Sequence, residues 1–90
     1  MTNIMVSKIT LKDYNVWRPM FDGNKDMQTE NGMHIKGVYQ SKQDPNTAFI
    51  VMEVEDIARA QEVLKKVKES GLQDKAGVIS TEPTMCTDVT

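Results

Sequence analysis

Ala48-Phe49-Ile50-Val51-Met52 is apolar without a break, and that run decides how the rest of the chain is read. A strand with one wet face alternates apolar and polar side chains, whereas a continuous apolar strand needs cover on both faces. The run is entered through Asp44-Pro45-Asn46. Proline there presets φ for a tight turn, and the flanking Asx side chains bond back to the backbone. It is left through Glu53-Val54-Glu55-Asp56, where Asp56 has the chemistry of a helix N-cap. Residues 48–55 are therefore expected to be a strand. The stretch His34-Ile35-Lys36-Gly37-Val38-Tyr39-Gln40 predicts its hairpin partner over 34–41.

Residues 57–69 carry Ile57, Ala60, Val63, Leu64 and Val67 on one helical face. Ser70-Gly71 ends that helix, and 72–77 reads as a short helical turn closing on Gly77. Val78 to Met85 reads as a last strand or an extended segment, and Pro83 places it at an edge or a bulge because proline cannot donate to a ladder. On the amino side, residues 3–10 are rich in β-branched positions and predict a first strand. Asp13 then caps a helix running to about residue 29. Tyr14, Trp17, Phe21 and Gln28 fall near one side of it, with Val16, Met20 and Met27 adjoining. Pro19 removes one helical hydrogen bond, so a kink or a short first turn is expected there. Asn31-Gly32 suits the stop.

The resulting order, β-α-β-β-α-β, is a ferredoxin-like α+β arrangement: a four-stranded antiparallel sheet with two helices on one face. Residues 1–90 are expected to form one such domain. A single layer of helices covers only one face of the sheet. The doubly apolar strand then calls for a second copy of the chain pressed on the other face about a two-fold axis. Loops or the carboxy-terminal segment are the alternative cover.

Composition narrows the partners. Thirteen acidic against eleven basic residues give a formal net charge of −2, and the signs are interspersed, which argues against a nucleic-acid partner. The lysines of 62–69 sit among Glu62 and Glu69 and read as a solvated helix face. Cys86 is the one cysteine, so neither an intrachain disulfide nor a thiolate metal cluster can form. The amino-terminal residues lack the pattern of a secretory signal, and no stretch approaches the roughly 20 apolar residues of a membrane span. The expected compartment is the cytoplasm, with no membrane and no cofactor.

The chemistry-bearing residues are few. His34 is the single histidine and could act as a general base near neutral pH. It also opens a strand, where exposed histidines are common, and no second strong ligand sits at a spacing that would make it a metal site. Tyr39 could orient a carbonyl or phenol with its hydroxyl, or simply show its tip to water. Tyr14, Trp17 and Phe21 recur one helical turn apart and could wall a pocket for an aromatic ligand, or fill the helix–sheet core. Asp22, Asp26 and Glu30 read as a solvated helix side. Glu53 could be a base of raised pKa, but reads better as the rim of the apolar strand. Seven methionines favour an adaptable cavity, since methionine fills irregular space loosely.

Three segments together carry a family resemblance. Asp13-Tyr14-Asn15-Val16-Trp17-Arg18-Pro19-Met20-Phe21-Asp22 resembles the first helix of small proteins of the dimeric α/β-barrel superfamily, the antibiotic-biosynthesis-monooxygenase-like and cyclase-like group. Asp44-Pro45-Asn46 with the following strand and Glu53-Val54-Glu55-Asp56 resembles their hairpin, with Val54 where the family carries tryptophan. Ala76-Gly77-Val78 and Glu82-Pro83 resemble their closing segment. The resemblance implies two copies pairing their sheets into a barrel, with a pocket between sheet and helices for small, often aromatic molecules. Some such proteins are cofactor-independent oxygenases of polycyclic aromatics; others degrade haem, isomerise lactones or have no assigned activity. Haem degradation there uses an Asn, Trp and His together, and Asn3, Trp17 and His34 do not map onto that trio. The function expected on these grounds is small-molecule binding, with cofactor-independent oxygenation or cyclisation of an aromatic or polyketide-like compound as its catalytic form. The alternative is a non-enzymatic dimerisation or stress-associated module. A cavity of roughly 300 Å³ with inward polar groups favours the first, and a closed core around Trp17 the second.

Overall fold

The computed structural model describes residues 2–90. Its elements follow in the order β1 (Asn3–Leu11), α1 (Tyr14–Gly23), α2 (Lys25–Glu30), β2 (Met33–Gln40), β3 (Thr47–Val54), α3 (Ile57–Glu69), α4 (Leu72–Lys75) and β4 (Val78–Thr87). The strands form one antiparallel sheet in the order β2-β3-β1-β4. This is the ferredoxin-like arrangement expected, and it places the doubly apolar β3 inside the sheet and Pro83 on an edge strand.

Two details differ from the sequence reading. The first helical segment is not one helix kinked at Pro19. Pro19 is exposed inside α1, and the break comes at Asn24, whose φ of −99° and ψ of 3° leave the helical basin. Gly23 and Asn24 are poor helix formers, and the Asn24 N–H folds back onto the Phe21 carbonyl at 3.0 Å. The second detail is that β4 runs on through Cys86 and Thr87, so the segment expected to lie beyond the last strand belongs partly to it.

The helices lie on the face of the sheet from which Met5, Ile9, Leu11, Ala48, Ile50, Met52 and Val54 point, and these are buried with Trp17, Phe21, Met33 and Ala60. Caps fix where the helices start. The Asp13 carboxylate accepts from the Asn15 N–H and that of Asp56 from the Arg59 N–H. Gly32, Gly71 and Gly77 take left-handed φ of 75°, 79° and 77°, closing α2 and bracketing the short α4.

Among the described residues, no helix lies on the opposite face of the sheet. Phe49 and Val51 of β3 point there, beside Ile4 and Val6 of β1 and Tyr39 of β2; Val6 pairs directly with Val51, and Tyr39 with Phe49. Phe49 is 37% exposed and Tyr39 58%. The carboxy-terminal segment is the edge strand β4 rather than a cover for this face, and Val89 beyond it is 82% exposed.

Candidate functional site: a methionine-walled cavity between sheet and helices

Tyr14, Trp17 and Phe21 project from successive turns of α1 toward the sheet. The Tyr14 N–H donates to Asn46 Oδ1 at 3.0 Å, so the turn of the β2–β3 hairpin anchors the start of the helix. Tyr14 and Trp17 meet at a tilt, with centroids 5.7 Å apart, and Trp17 and Phe21 stack at 4.8 Å. Trp17 is 4% exposed. Arg18 lies across the outer side of this ladder and donates to the Tyr14 hydroxyl at 2.9 Å and to Asp22 at 3.1 Å. The Tyr14 hydrogen bond, with a smaller push from Asp22, keeps the guanidinium pKa above its ordinary value against the pull of desolvation.

Next to the ladder the layers do not close. A cavity of about 110 Å³ lies between the sheet and the helices. Met5, Met27, Met33 and Met52 line it, and Phe21 forms part of the wall. Trp17 and Tyr14 are not among its lining residues; they pack behind Phe21. Val63, Leu64 and Val67 of α3 complete the apolar lining. These three are only partly buried, because α3 seats on the sheet chiefly through Ala60.

The cavity also has polar groups. Ser7 faces it from β1, Thr81 from β4, and Gln28 from α2 just beyond the helix break. Gln28 Oε1 and Thr81 Oγ1 are both buried and lack a hydrogen-bond partner among the described residues. None of the described residues lining the cavity carries an ionisable side chain. A cleft of about 230 Å³ between α1 and α4 shares Phe21, Asn24, Val67, Gln73 and Val78 with the cavity wall.

His34 and Tyr39 are elsewhere. Both point from β2 to the helix-free face, with the sheet between them and the cavity. His34 Nε2 lies 2.8 Å from Glu55 Oε2. The Tyr39 ring lies over Gly37, where a β-carbon would collide with the ring and its hydroxyl. Glu53 shares this face and pairs with Lys36 at 3.1 Å, at the edge of the apolar patch. Of the five residues singled out from sequence, the structure therefore brings Tyr14, Trp17 and Phe21 together, with only Phe21 on the cavity wall, and leaves His34 and Tyr39 on the other side. Sequence reasoning placed Gln28 on the apolar stripe but gave it no role, and it passed over Ser7 and Thr81. The available signal was a polar residue at a core-facing position, legible for Ser7 in the alternation of β1. Among the described residues, no three His, Cys, Asp or Glu side chains gather as metal ligands.

No family model and no curated protein matches the sequence, but solved structures match the fold over nearly the whole chain. An antibiotic-biosynthesis-monooxygenase-like protein from Bordetella bronchiseptica superposes with a TM-score of 0.78 at 8% identity, covering 99% of this chain and 98% of its own. SnoaB, a cofactor-independent oxygenase from Streptomyces nogalater, gives 0.74 at 11% identity, covering 99% and 94%. A nipsnap family protein with unknown function from Agrobacterium tumefaciens gives 0.70 at 10% identity, covering 97% and 87%. At such identities the likeness is one of fold.

Proposed function

We propose that this chain, which has the fold of the antibiotic-biosynthesis-monooxygenase-like α/β proteins, is a small-molecule-binding protein whose ligand occupies the cavity between sheet and helices, and that two copies pair through their helix-free sheet faces. The observation that carries the binding site is the cavity itself: four methionines and a phenylalanine line it, and polar residues from both layers belong to the lining. At about 110 Å³ it is below the roughly 300 Å³ of a drug-sized site. It approaches the ~150 Å³ that suffices for a single ring, and unbranched methionines can yield further room at little cost. The expected ligand is therefore of about one ring, smaller than a polycyclic compound.

Turnover is the narrower reading, and the fold shared with SnoaB favours it. Cofactor-independent oxygenation needs a substrate whose anion can pass an electron to dioxygen, and so needs a base or a substrate already ionised. The cavity provides no base, and an anion in apolar surroundings is strongly disfavoured. Proton handling by His34 or Tyr39 requires a substrate held between two paired sheets instead. Binding without chemistry in the cavity, or a module with no catalytic site, agrees better with the lining.

The test is recovery of the protein from its native host under non-denaturing conditions, with native mass spectrometry of the intact protein and identification of released compounds. A stoichiometric compound of one-ring size is expected. A protein that carries nothing, and whose amide resonances stay fixed in a screen of small aromatic and aliphatic compounds, would remove the binding role.

A further inference from the structure

Two residues of the cavity wall carry unpartnered oxygens that bear on which small molecule fits, granted the reading of the cavity as a binding site. Gln28 Oε1 comes from the helical layer and Thr81 Oγ1 from the sheet; each is buried, each is without a partner among the described residues, and both residues line the same cavity. A buried polar atom left unpaired costs more than its hydrogen bond would return, and native interiors rarely keep one without a use. Both residue types have apolar near-isosteres, methionine and valine, already used elsewhere in this wall at Met27 and Val63. A purely packed core has no need of the amide or the hydroxyl.

We infer that Gln28 and Thr81 are specificity-determining residues that hold a neutral, one-ring-sized ligand by a hydroxyl group. The chemistry follows from the donor and acceptor inventory. An amide oxygen only accepts, so the ligand must donate to Gln28; a threonine hydroxyl both donates and accepts, so it can give its proton to the ligand oxygen. A phenol or alcohol meets both demands with one group. The ligand is neutral because the described lining holds no charge to pair with an ion. Its body is apolar because Met5, Met27, Met33, Met52 and Phe21 surround the remaining space, and thioethers contact ring edges favourably.

The experiment compares phenol with toluene, which matches it in shape but cannot hydrogen-bond, by NMR titration of the wild-type protein and of Gln28→Met and Thr81→Val. Phenol is expected to bind wild type about tenfold or more tightly than toluene, the ratio set by satisfying two buried polar groups. Each variant is expected to narrow that ratio severalfold while binding toluene at least as well. Thermal unfolding supplies the second readout. If the hydroxyl and amide are kept for a ligand, both variants are as stable as wild type or more so without ligand; if they serve the fold, both lose stability. Equal binding of phenol and toluene to wild type, or an unchanged preference in both variants, overturns the assignment and leaves the cavity a general apolar site. Failure of wild type to bind either probe removes the binding site itself, and this inference with it.

Discussion

Single residues in this protein divide cleanly by the face of the sheet they serve. Trp17 has its ring between Tyr14 and Phe21 and is almost fully buried, so truncation leaves a hole that the helix layer cannot refill. Trp17→Ala is expected to destabilise by about 3–5 kcal/mol in denaturant unfolding; a loss under 1 kcal/mol would mean that the ladder is not a core element. Trp17→Phe should cost much less and leave binding in the cavity intact, because Trp17 stands behind Phe21 and not on the wall. His34 and Tyr39 give the complementary case. With the sheet between them and the cavity, His34→Ala and Tyr39→Phe should leave the affinity for a cavity ligand within about twofold of wild type, since changes well apart and without shared partners act independently. A tenfold loss in either variant would show that the ligand sits on the helix-free face, and would revive proton handling by these two side chains. Sequence alone offered the right residue types but not this partition. His34 and Phe21 are both plausible site residues by chemistry, and only the strand register, which pairs His34 with Glu53 and Tyr39 with Phe49, shows that they face opposite ways.

At the scale of elements, ends are set by single polar contacts and can be tested one at a time. Asp13 and Asp56 each accept from a backbone amide two or three residues on, and Asp13→Ala or Asp56→Ala should each cost about 1 kcal/mol. Asparagine at either position should recover most of it, whereas a purely electrostatic role for the carboxylate would not be recovered. Gly71 stands at φ of 79° in front of α4, so Gly71→Ala should cost about 1–2 kcal/mol from the left-handed backbone alone. Nothing lies within 4 Å of the added methyl, which leaves strain as the only cause. The order and type of every strand and of α3 were legible in the sequence because caps, glycines and the Asp44-Pro45-Asn46 turn all agree with the hydrophobic periods. The break at Asn24 was not. Pro19 is the louder signal, but its lost hydrogen bond is one among several in α1, while the weaker Gly23-Asn24 pair falls where the chain must bend back over the sheet. That break has a consequence for the site, because it puts Gln28 on a separate helix whose orientation decides whether its amide reaches the cavity. A stripe drawn on one continuous helix could not show it.

For the whole molecule the remaining question is what covers the second face of the sheet. Ile4, Val6, Val51, Phe49 and Tyr39 form an apolar patch there, and its border mixes signs: Lys36 with Glu53, His34 with Glu55, and Lys8 opposite Glu82. A border of both signs is what a self-complementary interface requires, since a two-fold axis sets the same surface against itself and a border of one sign would repel its copy. A stable pair of this kind buries about 1,200–2,000 Å² in total, an area within reach of one face of a four-stranded sheet on a chain whose free surface is 5841 Å². The wild-type protein is therefore expected to sediment as a dimer at micromolar concentration, with a thermal midpoint that rises with protein concentration because pairing and folding are linked. Val51→Lys tests the geometry directly. Val51 pairs with Val6 in the patch, and a lysine there would put a charge from each protomer into a desolvated contact without altering the cavity face, where Ile50 and Met52 point. The variant should sediment as a monomer, lose the concentration dependence of its midpoint and keep the far-ultraviolet dichroism of the wild type. Lys8→Glu, at the border, should weaken association only modestly, as rim charges do. A wild-type protein that stays monomeric at micromolar concentration would defeat the dimer. A Val51→Lys protein that still pairs would mean that the partner docks elsewhere, along the open edge of β2 or β4.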